Sequence, residues 1–526
     1  PGDSRGETLV FRQPLIREVA YRGLPFRIRR LIHQRLGAYL NQYQEQATSN
    51  WLTLLAYHAF EGQDWEVAVR ANLDLGKRAQ RNYLMEQAVE ALKRVSAAAD
   101  AGGLAVPEVR LEAEHLLGQT LTVLGQYPEA LQHLQQARQQ LPTLPTTRQD
   151  IEQVGRLEYD IADAFIRQGH YQAALDGIER GLQLPDITHT IVGAQLQMEK
   201  AGLLHRQGNY DEEERWVRRS AEVVETLTGE EAMKIQARAL YLLAYLASVR
   251  GNPAQALELG NRSLQIYEEL QDLLGEMDAR NNLLLINLAL GRWDEAAAHG
   301  ERAFSLAQRI HHSQGIARVS SNLGEIYRYQ GRLSEAKLAY NTALQIVRES
   351  GMTYGEAVME NNLAAVALRA GNLSEAATRL DHAEQLLAEI GTTSILAELY
   401  RHRAELHLTR QALDEALEWA SQSQQLAQDQ GAQQELAQTL RVIADIYIAQ
   451  GHPQEARQAL KTMFATLEET GDRYGQARAL LTEARLHLHL HEDARAQQDL
   501  DTAITMFEQL GASWDLAQAQ VLIENK

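Results

Sequence analysis

The 526 residues contain no cysteine. Disulfides, thiol nucleophiles and cysteine-ligated zinc or iron–sulfur sites are excluded together. Aromatic residues make up only 6% and prolines number 10. Ala, Leu, Gln, Glu and Arg dominate instead, and a chain of strong helix formers is not an all-β protein. No apolar run reaches the roughly 18 residues that a membrane-crossing helix needs. No basic segment followed by an apolar stretch opens the sequence, and Pro1-Gly2-Asp3 reads as the start of a fragment of a longer protein. Positive charge is in the minority, with 51 Lys and Arg against 70 Asp and Glu, a net charge of −19. Non-specific binding to nucleic acid or anionic membrane is therefore not expected. There is no Gly-x-x-x-x-Gly-Lys-[Ser/Thr] loop, no Gly-x-Gly-x-x-Gly fingerprint and no Gly-x-Ser-x-Gly elbow. We expect no enzyme activity and no cofactor in this sequence.

What the chain does have is 45% apolar residues, enough for a continuous core, and a repeat. Gly125-Gln-Tyr127-Pro-Glu129-Ala130 recurs as Gly169/Tyr171/Ala174 and Gly208/Tyr210/Glu212. It continues as Gly251/Pro253/Ala256, Gly291/Trp293/Ala296, Gly331/Leu333/Ala336, Gly371/Leu373/Ala376, Gln411/Leu413/Ala416 and Gly451/Pro453/Ala456. From Ala256 to Ala456 every step is 40 residues. A second series, Gly351, Gly391, Gly431, Gly471 and Gly511, keeps the same spacing.

One unit shows why. Ile316, Val319, Leu323, Ile326 and Tyr327 follow helical spacing. Gly331 allows a left-handed turn. Ser334 is the expected N-cap of a second helix whose Ala336, Ala339, Tyr340, Ala343, Leu344 and Val347 face inward, and Gly351 closes it. Each unit is then an antiparallel helix pair that must stack on its neighbours to bury its apolar face. Nearer the N-terminus, Trp51–Glu61 and Asp64–Gln80 read as a pair turning at Gly62. Near the C-terminus the pattern decays at His487–Ala494, where the glycine is absent.

The recurring Gly-x-[Tyr/Trp/Leu]-x-Glu-Ala core, with Leu seven or eight residues before the Gly, resembles the tetratricopeptide repeat. The best copies are Asn322-Leu323 to Ala336 and Asn362-Leu363 to Ala376. The usual period is about 34; the longer one here is similar to kinesin light chains, LGN-type adaptors and bacterial peptide-sensing or MalT-like regulators. The resemblance implies an all-α fold, a right-handed α-solenoid superhelix of about ten to eleven helix pairs with a concave, ligand-facing groove. A second stretch, Phe11-Arg-Gln13-Pro-Leu15 to Tyr21 with Leu24, Arg29-Arg30 and His33, resembles the junction after the winged helix of bacterial STAND-type signalling ATPases. Glu7–Arg12 would be the last strand of that winged helix. On this basis residues 1–45 are the junction, 46–106 irregular helical repeats, 107–512 tetratricopeptide-like repeats and 513–526 a capping helix. The implied function is the protein- or peptide-binding sensor arm of a cytoplasmic signalling ATPase. The alternative is a MalT-like sensor of a sugar or metabolite. Upstream NTPase and winged-helix parts of the same protein would be partners.

The polar residues in register are the candidate site. Asn282, Asn322 and Asn362 stand 40 apart on the first helix of three units, and Asn is a weak helix former. Two readings stand. Their amides bind the backbone of an extended peptide in the groove, or they tie neighbouring repeats together. On the same face lie Arg318, Arg328, Asn361, Arg369, Arg401, His402 and Arg441, a basic stripe in an acidic protein that points to an anionic ligand such as an acidic peptide or a terminal carboxylate. His487, His489 and His491 form the one dense metal-like cluster, read more economically as a solvated helix end, and no metal is expected. Without a phosphate-cradling loop the chain should neither bind nor hydrolyse ATP; micromolar affinity in calorimetry would contradict this.

Overall fold

The turns set the architecture, and a computed structural model shows them repeating with little variation. It describes residues 14–42, 50–142, 145–207 and 209–524. The strand expected at Glu7–Arg12, Gln13 and the turn at Gly208 lie outside the described residues. The chain is 85% helical, with 26 α-helices and no strand among the described residues.

In the regular part a residue of left-handed conformation recurs every 20 positions, as at Gly251, Gln271, Gly291, His311 and Gly331, and on to His491 and Gly511. Both glycine series of the sequence are therefore one series of turns. Between them run helices of near-constant length, for example Trp293–Arg309, Ser313–Tyr329, Leu333–Glu349 and Thr353–Arg369, each of 17 residues. Three details differ from the sequence reading. The helix Leu333–Glu349 has Arg332, not Ser334, at its N-cap, without a side-chain cap. The first pair turns at Gln63, because Gly62 is needed inside its helix: a Cβ there would lie 3.0 Å from the backbone of Gln34. The repeat does not decay near His487, since His491 adopts the left-handed turn in place of glycine.

Small residues let the paired helices approach. Ala256, Ala296, Ala336, Ala376, Ala416, Ala456 and Ala496, all 40 apart, are fully buried. Gly324 serves the same end, because the ring of Tyr340 fills the space of its missing Cβ. A buried serine adds a recurring rung: Ser220, Ser263 and Ser423 each donate to a carbonyl 26 residues earlier, those of Ala194, Ala237 and Ala397.

The chain comprises two compact units, residues 1–235 and 236–526. The first buries successive apolar layers, such as Leu92, Val95 and Leu121, then Leu134 and Leu157, then Ile178 and Leu196. In the second unit one core joins the early hairpins (Met277, Trp293, Leu323) to the late ones (Tyr474, Leu500, Phe507, Leu510). Its row of hairpins thus closes on itself, early hairpins against late ones. The contact is tight: a Cβ on Gly331 would lie 2.9 Å from the backbone nitrogen of Trp514.

This geometry separates two kinds of turn glycine. Gly371 (φ +77°) has open space around it, whereas Gly331 (φ +78°) lies under the segment at Ser513 and Trp514. Gly371→Ala should cost about 1 kcal/mol, the backbone strain alone. Gly331→Ala should cost about 1–3 kcal/mol more through overpacking. Urea denaturation of the two variants reads the difference, and equal losses would refute the closure.

Candidate functional site

Because successive first helices are 40 residues apart, a side chain on one meets a residue 40 or 41 earlier on the next. The amide of Asn282 donates to the carbonyl of Tyr241 at 3.1 Å, and that of Asn322 to Oδ1 of Asn281 at 2.9 Å. One N–H of each amide is thus bonded between repeats, as the second of the two readings has it. Arg318 is paired with Asp278 of the preceding repeat. Asn361 is buried and accepts from Nδ1 of His402 at 2.9 Å. Asn362 is half-buried. None of these residues except His402 lines the cavity described next.

The remaining basic candidates come together. Arg328, Arg369, Arg401, His402 and Arg441 line one cavity of about 340 Å³ in the second unit. Arg478 and Arg485, which the sequence reading left out, complete it, with Glu405, Trp514 and Asp515. Register could have found Arg478 and Arg485: they stand 40 residues after Gln438 and Asp445 and bond to them at 3.1 Å each.

The cavity holds six arginines against two carboxylates. Three more carboxylates stand behind its wall. Arg401 is bidentate to Glu435, at 2.6 and 3.3 Å, with Glu398 at 3.7 Å. Arg441 pairs with Glu405 and, at 2.8 Å, with Asp445. Burial is the largest single influence on Glu405 and raises its carboxyl, but the guanidinium groups of Arg441 and then Arg401 together outweigh it and hold the group well below the usual carboxylate range.

The other end of the cavity is poorer in negative charge. Nε of Arg328 is buried without a hydrogen-bond partner, and no carboxylate among the described residues lies within 4.0 Å of its guanidinium. Arg369 donates to the carbonyl of Arg328 and to the hydroxyl of Tyr474, each at 2.7 Å. Its nearest carboxylate is Asp515, at 3.8 Å.

His402 is almost completely buried, and burial, then Arg401, push its imidazole below the ordinary value. It is therefore neutral, with its Nδ1 proton directed at Asn361. The histidine cluster of the sequence reading does not assemble: His487 is bonded to Asp499 at 2.7 Å, while His491 is exposed in its turn. Among the described residues one group has the spacing of a metal site, Glu356, Glu360 and His382. Both carboxylates are already engaged by Arg348, and Glu360 also by Arg379.

Helical hairpins stacked in a 40-residue register define a tetratricopeptide-type scaffold. More particularly, the chain belongs to the MalT-like TPR region family, which matches residues 226–518. Residues 159–223 match a tetratricopeptide repeat family. No curated protein matches the sequence. Among solved structures, a Rap protein complexed with Competence and Sporulation Factor is similar at 14% identity and a TM-score of 0.52, over 70% of this chain and 98% of that one. The apo form of RapI gives 11% and 0.52, over 68% and 98%. The apo quorum sensor NprR from B. thuringiensis gives 12% and 0.50, over 68% and 98%. At such identities the likeness is one of fold.

His402 contributes acid sensitivity to the second unit, opposed by Glu398 4.0 Å away, whose carboxyl is pushed up to about 7 by burial. Its folded pKa lies below the unfolded 6.5, so its contribution to stability is intact above pH 6.5 and is lost as pH falls below that value. Asn occupies the same register position at 282, 322 and 362. His402→Asn should therefore fold, and the stability difference between pH 7.5 and 5.5, read by urea denaturation, should shrink. An unchanged difference would show that His402 does not titrate in this way.

Proposed function

We propose that the chain is the protein- or peptide-binding sensor arm of a STAND-type signalling ATPase of the cytoplasm, and that the arginine cavity of the second unit receives an anionic group of the bound segment. The observation that carries the reading is the convergence of six arginines on one cavity in a chain of net charge −19. Buried guanidinium groups recognise carboxylates by short, charge-assisted hydrogen bonds. Glu325 and Glu398 act on Arg328 only from beyond contact distance, and a ligand carboxylate between Arg328 and Arg369 would supply a directly bonded counter-charge. The complex of the similar Rap protein with Competence and Sporulation Factor supports ligand binding on this fold. The ATPase part of the reading rests on the resemblance around Leu15 to His33. It gains support from Ile28, Leu31 and Ile32, which stay exposed on one side of the helix Phe26–Gln42 and offer an apolar face to an upstream part. Any catalytic activity would belong to that part.

The second reading, a MalT-like sensor of a sugar or metabolite, draws on the family match. Sugars stack on aromatic faces, and Trp514 is the one aromatic residue in the cavity lining. The lining therefore favours a carboxylate-bearing segment over a neutral sugar.

Arg328→Gln tests the reading without leaving a carboxylate unpaired. A fluorescein-labelled hexaglutamate peptide should bind the unmodified chain and bind this variant about tenfold more weakly, the worth of one charged hydrogen bond. Equal affinities, with helix content unchanged in circular dichroism, would refute the anionic reading.

A further inference from the structure

The arginine cavity already contains an acidic and aromatic segment, and it is this chain's own. Ser513, Trp514 and Asp515 open the helix Ser513–Glu524. The hydroxyl of Ser513 donates to the carbonyl of Gln330. The guanidinium of Arg369 lies over the ring of Trp514, 4.8 Å from its centroid, a cation–π contact. Asp515 is only 1% exposed. Its Oδ2 accepts from the hydroxyl of Tyr474 at 2.8 Å, and its Oδ1 lies 3.5 Å from Nε of Arg478. Tyr474 accepts in turn from Arg369, so one hydroxyl links the guanidinium to the carboxylate. Burial raises the phenol above its ordinary value, which keeps it a donor.

The placement of charge gives these contacts their meaning. Glu405, Glu435 and Asp445 belong to the solenoid wall and serve Arg401, Arg441 and Arg485. Among the described residues, Arg328, Arg369 and Arg478 have no such carboxylate partner from the wall within 3.5 Å, and the carboxylate nearest to Arg369 and Arg478 is that of Asp515. Asp515 thus occupies the place where the wall leaves positive charge uncompensated, and Trp514 covers the guanidinium beside it.

We propose that the arginine cavity takes a partner segment in which an aromatic residue precedes a carboxylate, and that Ser513-Trp514-Asp515 is the resident copy that such a partner displaces. This rests on the anionic reading of the cavity. The partner's aromatic ring replaces Trp514 on Arg369, and its carboxylate replaces Asp515 at Tyr474 and Arg478. Displacing these three residues loosens the start of the helix Ser513–Glu524, which then holds only by Leu516, Ala519, Leu522 and Ile523 on the common core, so occupancy of the cavity becomes a change at the surface of the second unit.

The test uses the full chain and a labelled peptide, Gly-Ser-Trp-Asp-Gly-Ser, with versions in which Trp is replaced by Ala or Asp by Asn. Both altered peptides should bind about tenfold more weakly. Asp515→Asn in the chain removes the resident carboxylate with little change of shape and should tighten the unaltered peptide about threefold or more, since it no longer displaces a charged group. In the unmodified chain, where no variant need fold, saturating peptide should speed amide hydrogen exchange across 513–524 and leave 493–510 protected. Three peptides of equal affinity would overturn the aromatic–acidic specificity. Binding without faster exchange at 513–524, or Asp515→Asn no tighter at unchanged helix content, would overturn the displacement. If hexaglutamate binds and depends on Arg328 while Asp515→Asn has no effect, the anionic reading survives and this inference fails. If no peptide binds either chain, both fail.

Discussion

Much of the second unit follows from one constraint, a left-handed turn every 20 residues. A 17-residue helix and a three-residue turn make up one step, as in Trp293–Arg309 followed by Ser313–Tyr329. Because the turn inside a hairpin and the turn between hairpins are alike, no offset accumulates, and side chains 40 or 41 residues apart face each other along the stack. Four turns achieve the conformation without glycine, at Gln271, His311, Gln411 and His491. Each carries strain of the order of 1 kcal/mol, which the packing of whole helices on both sides of the turn outweighs.

The same register distributes the polar groups. Asn282 reaches Tyr241, Asn322 reaches Asn281, Arg369 reaches Arg328, and His402 reaches Asn361, each across one repeat. A buried polar group on a repeated inner face must find its partner on the next repeat, since water does not reach it. Where carboxylates occur at the matching step, as with Glu405 and Arg441, the pair is closed within the wall. Where they do not, around Arg328 and Arg369, the wall stays electropositive. The basic character of the cavity is thus a local mismatch of a periodic pattern and not a consequence of overall charge.

This explains how much was legible in the sequence. The helices, the hairpins and most turns follow from glycine spacing and apolar periodicity, which are local properties. The basic stripe of Arg328, Arg369, Arg401, His402 and Arg441 was legible for the same reason, since one face of successive helices is given by the period alone. The fate of Asn282 and Arg318 was not, because it depends on which atom of the neighbouring repeat lies within reach. Trp514 and Asp515 were legible as part of a capping helix, but their place in the cavity was not. They meet Arg369 and Gln330 across 145 and more residues, and that contact exists only because the second unit closes. Periodicity describes the step between repeats and carries no information on where the row meets itself.

The seam of that closure is built from two kinds of contact, and they differ in what can replace them. Phe507 and Leu510 are buried in the common core with Trp293 and Leu323, and Leu510 fills the space that a Cβ on Gly291 would need. Trp293, Tyr329 and Tyr474 pack ring on ring at 5.1–5.4 Å. Such apolar surface can leave only by exposing itself to water, at roughly 25 cal/mol per Å². Ser513, Trp514 and Asp515 hold by a hydrogen bond, a cation–π contact and a shared carboxylate, which another molecule with the same groups satisfies equally well. The helix Asp493–Leu510 therefore keeps the second unit closed, while the next helix joins exchangeable contacts at its start, Ser513 to Asp515, to apolar ones further on, where Leu516, Ala519, Leu522 and Ile523 pack on the common core. Tyr474 stands at the boundary. Its ring belongs to the first kind of contact and its hydroxyl to the second, so the receiving surface stays in place when the carboxylate it holds is exchanged.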